Sequence, residues 1–262
     1  MTSLSDTIAA LALDGEDYCI DAPEEWAQGR TLFGGITAAL AYGATCRAFE
    51  GLPPLRSAQL SFVGPASGAL RFRPQILRRG RSSAIVAADC WNADGLATRA
   101  TFTFGATRDS AVVHDHAERL AVPPPEQCDP FHKTTKPLQG FLGRFEFRLA
   151  AGARLFEAEK TPEFAVWTRL RDGDGDDPVA ALLALADALP CAAWVSFPKP
   201  APVSTMTWQV DVHAPLQPSG GWHLIRSSSE SAAEGYSLQD MRVYNAAGAP
   251  LISARQVVAL FI

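Results

Sequence analysis

The chain has 262 residues, 47% hydrophobic and 19% charged, a composition that can bury a sizeable core and excludes wholesale disorder. A net charge of −5 argues against a broad nucleic-acid surface, and no apolar run is long enough to span a bilayer. The five cysteines (Cys19, Cys46, Cys90, Cys128, Cys191) show no Cys-X-X-Cys spacing, and the N-terminus lacks the basic start and apolar core of a signal peptide. Reduced thiols in a cytoplasmic protein are the expectation.

In chain order, Ser5-Asp6 ahead of Ile8, Leu11 and Leu13 predicts a cap and a short helix, and Tyr18-Cys19-Ile20 a brief strand. Gly34-Gly35 opens an alanine-rich helix over Ile36–Phe49, whose apolar coverage is so wide that it must be buried on most sides. Four strands follow Pro53-Pro54: Leu55–Val63, Ala69–Leu77, Ser83–Trp91 and Ala97–Phe104. Alternation at Leu70, Phe72 and at Phe102, Phe104 marks an antiparallel sheet with one covered face. Residues 108–140 hold Pro123-Pro124-Pro125, Pro130 and Pro137 and read as a linker between units 1–107 and 141–262. In the second unit, Phe145, Phe147 and Leu149 alternate with charged residues, and Phe164–Leu170 is a strand. Asp177-Pro178 caps a second apolar helix over Val179–Leu189, stopped by Pro190. Strands at Ser204–His213, Trp222–Ser228, Tyr236–Tyr244 and Leu251–Phe261 complete it.

The two units repeat one plan. Leu60-Ser61-Phe62-Val63-Gly64-Pro65 matches Val210-Asp211-Val212-His213-Ala214-Pro215, and the turn Asn92-Ala93-Asp94-Gly95 matches Asn245-Ala246-Ala247-Gly248. One apolar helix against a curved antiparallel sheet, twice over, predicts an α+β architecture whose two sheets pair edge to edge.

Several motifs then acquire a family likeness. Arg30-Thr31-Leu32-Phe33-Gly34-Gly35, Leu77-Arg78-Arg79-Gly80-Arg81-Ser82-Ser83 and Trp167-Thr168-Arg169-Leu170-Arg171-Asp172 together resemble the acyl-CoA thioesterase II family of double hot-dog proteins. The resemblance implies a catalytic set of Asp187, Thr205 and Gln256. It implies hydrolysis of acyl-CoA to a free acid and coenzyme A, with no metal or redox cofactor, in a homodimer or larger homo-oligomer. The chain departs from the family at Thr207-Trp208-Gln209, at Gln59, at Tyr236-Ser237 and at Val257-Val258.

The residue types suit that chemistry. A thioester is already electrophilic, so a positioned water and a stabilised oxyanion suffice. Asp187 is the only carboxylate within Val179–Leu189, and desolvation at an apolar helix would raise its basicity. Thr205 could hold the water, Gln256 could orient it, and the Gly34-Gly35 helix start offers N–H groups to an oxyanion. Arg78, Arg79 and Arg81, in the densest basic stretch, could meet the coenzyme A phosphates, although a charged sheet edge serves equally well. Thr103 stands near the place that Gln256 takes in the second copy. The acidic run Asp172-Gly173-Asp174-Gly175-Asp176-Asp177 lacks EF-hand spacing, His114, His116 and His132 complete no zinc set, and no Gly-X-Ser-X-Gly elbow is present. A non-catalytic acyl-binding protein and a hot-dog enoyl-CoA hydratase are the alternatives.

Overall fold

A computed structural model describes residues 2–173, 175, 177–213, 215–216 and 221–262. Helix α1 (Leu4–Ala9) begins at a capping box in which Ser3 accepts from the Asp6 N–H and Asp6 accepts from the Ser3 N–H. The cap is therefore Ser3, not Ser5: three residues beyond Ser5 stands Ile8, which cannot reciprocate. Strands β1 (Ala12–Asp14) and β2 (Asp17–Asp21) precede a short ladder of Ala27–Gln28 with Thr31–Leu32.

Helix α2 (Gly34–Ala48) is buried along nearly its whole length, as its unbroken apolar sequence requires. At Gly43 a Cβ would lie 2.5 Å from Ile8 Cγ2, so the missing side chain is what lets α1 cross it. Four strands follow: β3 (Leu55–Phe62), β4 (Ala69–Arg79), β5 (Ser83–Asn92) and β6 (Gly95–Gly105). Asn92 accepts from the Asp94 N–H inside the β5–β6 turn and donates to the Pro65 carbonyl, tying the turn to the proline after β3.

The stretch predicted to link the units contributes β7 (Asp129–Pro130), which pairs onto β8 (Phe145–Gly152). Strand β9 (Glu163–Leu170) leads to α3 (Pro178–Ala186), where Asp177 accepts from the Val179 and Ala180 N–H groups and Pro178 occupies the first turn. Of the acidic run, Asp174 and Asp176 lie outside the described residues, as does Ala214 of His213-Ala214-Pro215. The last strands are β10 (Val203–Val212), β11 (His223–Ala233), β12 (Tyr236–Tyr244) and β13 (Pro250–Leu260). β11 runs five residues beyond its predicted end at Ser228. Its polar tail stays in the sheet because Glu234 (φ 54°) and Gly235 (φ 81°) form a tight two-residue turn that carries the ladder to Ala233 opposite Tyr236.

Among the described residues, strands β1 to β13 form one sheet, in the order β1-β2-β4-β5-β6-β3-β10-β13-β12-β11-β9-β8-β7, apart from the two-stranded ladder of Ala27–Gln28 with Thr31–Leu32. The two units meet edge to edge at β3 and β10, antiparallel from Ser57 opposite Asp211 to Ser61 opposite Thr207, so each edge strand covers the other. The helices α2 and α3 pack on one another within the sheet, and a single apolar core runs through both units. This is the α+β double hot-dog.

Aromatic residues fasten the start of α2 to the second unit. Phe33, its N-cap, stacks on Phe141 with ring centroids 4.5 Å apart and meets Phe145 edge-on, while Trp26 packs on both Phe33 and Phe145. Arg144, buried, lies over the Trp26 ring and pairs with Asp172.

Candidate active site

Where the first unit's helix begins, the second unit's helix ends. α3 stops at Ala186, and Asp187 is its C-cap with non-helical backbone (φ −99°, ψ 7°), not a residue of the helix interior. The partly buried Asp187 side chain reaches the start of α2, whose own N-cap, Phe33, has no side chain able to accept. Asp187 supplies the missing acceptor, taking the Gly35 N–H. Both glycines are required by space. A Cβ on Gly34 would lie 2.7 Å from Asp187 Oδ2 and 2.7 Å from Phe62 Cζ, and one on Gly35 would lie 2.6 Å from the Ala184 carbonyl oxygen.

On the carboxylate's other side, Gln256 Nε2 donates to Asp187 Oδ1 at 2.6 Å. Behind Gln256, Gln239 Nε2 donates to Gln256 Oε1 at 3.0 Å, and the Ala192 N–H donates to Gln239 Oε1 at 2.6 Å. Burial pushes the Asp187 carboxyl up to about 7, against the opposing pull of the Gln256 and Gly35 donors. None of these influences is a charged side chain.

Thr205 reaches the inner face through a bulge. Trp208 opposes Gln256 and Thr205 opposes Val258, but Met206 is the extra residue between those pairs. Without it, Met206 would point inward with Trp208 and Val210; with it, Thr205 does, and Met206 is 43% exposed. Thr205 thus shares a face with Gln256 as its diagonal neighbour. Phe62 touches the same place from the first unit and also lines a groove of about 500 Å³ with Ser204, Met206, Tyr236 and Leu260.

Asp187, Gln256, Gly34 and Gly35 are therefore together, with Thr205 on the adjoining ladder, while Arg78, Arg79 and Arg81 are elsewhere. They are exposed around the β4–β5 turn, where Arg79 donates to the Glu50 carbonyl just past the C-terminal end of α2. A fifteen-residue helix is roughly 22 Å long, so the trio sits a helix length from Asp187. His213 is also outside the site, exposed and bonded to Ser253 at 2.8 Å.

The first unit's counterpart of Gln256 is Phe102, not Thr103. Gln59 opposes Gln209 at the seam, with the same chain separation as Pro65 and Pro215, which sets Ala58 in the place of Trp208. The ladder partner of Ala58 is Phe102, and opposite Phe102 stands Val86, where the second unit has Gln239. Thr103 belongs to the other face. Among the described residues, no group of three His, Cys, Asp or Glu side chains could hold a metal ion.

The chain thus joins two hot-dog units, with a carboxylate from one unit resting on the helix start of the other. The sequence matches the N-terminal domain of acyl-CoA thioesterases over residues 22–105 and the C-terminal domain over residues 125–260; the chain belongs to the acyl-CoA thioesterase family. No protein of curated function matches it. Among solved structures, a hot-dog protein of unknown function from Alicyclobacillus acidocaldarius is 25% identical, with a TM-score of 0.89 over 100% of this chain and 99% of that one. A thioesterase II candidate from Thermobifida fusca YX is 20% identical (TM-score 0.86, covering 100% and 98%). The acyl-CoA thioesterase II TesB2 from Mycobacterium marinum is 17% identical (TM-score 0.77, 98% and 97%). These last two likenesses are of fold.

Gln239, Phe62 and the aromatic clamp at Phe33 were not predicted as site residues. The available signal for Gln239 was its place in phase with Met241 and Val243, which the opposite phase of Tyr236 and Leu238 obscured.

Proposed function

We propose that the protein hydrolyses acyl-CoA thioesters to a carboxylic acid and coenzyme A, with Asp187 as the general base. The observation that carries this reading is a carboxylate held between Gln256 Nε2 and the Gly35 N–H at the start of the other unit's helix, where desolvation raises its affinity for a proton. A base with that affinity for protons is half ionised near neutral pH, where general-base efficiency is greatest.

In the step that follows, Asp187 takes a proton from water as the water oxygen adds to the thioester carbonyl carbon. The carbonyl oxygen becomes an oxyanion. Collapse expels coenzyme A as thiolate, which recovers the proton. Thr205 and the second Gln256 N–H are suited to hold the water. Because the Gly35 N–H is committed to Asp187, the oxyanion role expected of both glycines falls to Gly34. No cofactor is called for beyond the coenzyme A carried by the substrate.

Thiol release from hexanoyl-CoA and palmitoyl-CoA, wild type against Asp187→Asn, tests the reading. Release by the wild type that vanishes in the variant supports it; equal turnover by the two sinks it.

A further inference from the structure

Two buried glutamines lie in series behind Asp187, and their direction is not arbitrary. A carboxamide has a donating end and an accepting end, distinguished only by their partners. The Ala192 backbone N–H can only donate, so Gln239 must turn Oε1 toward it. That leaves Gln239 Nε2 to face Gln256, which must turn its own Oε1 to meet it. Gln256 is then obliged to present its NH2 to Asp187. A flipped Gln256 would set acceptor against acceptor at the carboxylate and donor against donor at Gln239. Both amides are closed to water, at 1% and 5% exposure, so solvent cannot repair such a mismatch.

We propose that Gln239 is a positioning residue for the hydrolytic site: anchored by the Ala192 N–H, it locks the Gln256 amide with its donor end on Asp187. The inference rests on the reading of Asp187 as the base. The first unit has Val86 and Phe102, both fully buried, in the two places, so the amide pair is confined to the unit whose helix end carries Asp187.

Gln239→Leu and Gln239→Met, both neutral, remove the lock without adding charge. Gln256→Leu and the double variant Gln239→Leu/Gln256→Leu close a mutant cycle. The titration of Asp187 in the full-length protein is followed by ¹³C NMR of side-chain-labelled aspartate, assigned with Asp187→Asn. In parallel, kcat and KM for hexanoyl-CoA are measured against pH. Each Gln239 variant is expected to raise the Asp187 pKa by about one unit, a tenfold loss of ionised base at a fixed acidic pH. The acid limb of kcat should move equally, with KM unchanged. In the Gln256→Leu background, Gln239→Leu should add nothing. An Asp187 titration that does not move in whichever Gln239 variant folds, or a shift that persists without Gln256, overturns the proposal. If the titrations behave as expected but no thiol is released from the wild type, the positioning role stands and the thioesterase reading falls.

Discussion

Asp187→Asn tests the physics of the site through stability as well as through rate. An ordinary aspartate titrates near 3.8, and burial here moves Asp187 to about 7. Roughly three units, at about 1.4 kcal/mol each, correspond to about 4 kcal/mol of proton-linked stability. Its sign follows from the direction of the shift. The folded protein holds this proton more tightly than the unfolded chain, so the stabilisation is complete below pH 4 and is lost as pH rises through 7. Between pH 5 and pH 8 the wild type should lose about 2–3 kcal/mol from this group. Asparagine has no such proton. Its carboxamide turns one of the two acceptor oxygens into a donor beside the Gln256 and Gly35 N–H groups, and the lost acceptor should cost about 1–3 kcal/mol at every pH. The wild type should therefore be clearly the more stable at pH 5, with the advantage shrinking or vanishing by pH 8. Urea unfolding across that range measures the difference. A gap between the two proteins that does not change with pH would refute the buried-carboxylate argument, whatever the variant's activity.

Other outcomes follow from named contacts. Gly35→Ala places a methyl group 2.6 Å from a backbone carbonyl that cannot swing aside, and overpacking of this kind costs about 1–3 kcal/mol. A thermal melt should fall by several degrees. Thr205→Val keeps the shape and removes the hydroxyl; kcat should drop by roughly tenfold or more, about 1.4 kcal/mol of barrier, with the melting temperature unmoved. Extended coenzyme A sets its phosphates far from the thioester, so the exposed Arg78, Arg79 and Arg81 beyond the far end of α2 stay candidates for them, and replacing the three with glutamine should raise KM for acyl-CoA and flatten its salt dependence. An unchanged KM would remove the phosphate role from them.

The helices and most strands were legible because each rests on a local rule. Unbroken apolar sequence marked α2 and α3, Asp177-Pro178 marked the start of α3, and the Asn-X-X-Gly turns marked the hairpins. The seam was legible from the duplication, since two copies of one sheet leave two edges to cover. Asp187 and Gln256 were found by family likeness, and the structure supplies what likeness could not: they touch. Gln239 was hidden by a change of phase in β12. Tyr236 and Leu238 are exposed while Ser237, Gln239 and Met241 are buried, so the apolar alternation runs outward and then inward along one strand. In β10 the bulge at Met206 does the same to Thr205.

The origin of Asp187 in one half and of Gly34 and Gly35 in the other has a consequence for how the protein comes into being. As the chain is synthesised, α2 and the β3 edge emerge first and must wait for the partners that bury them. An apolar helix and an unpaired edge are both liable to aggregation while they wait. Neither half alone brings Asp187 to the Gly34–Gly35 helix start, because each holds only one side of that contact. Formation of the contact during refolding would therefore report the meeting of the two halves rather than the folding of either.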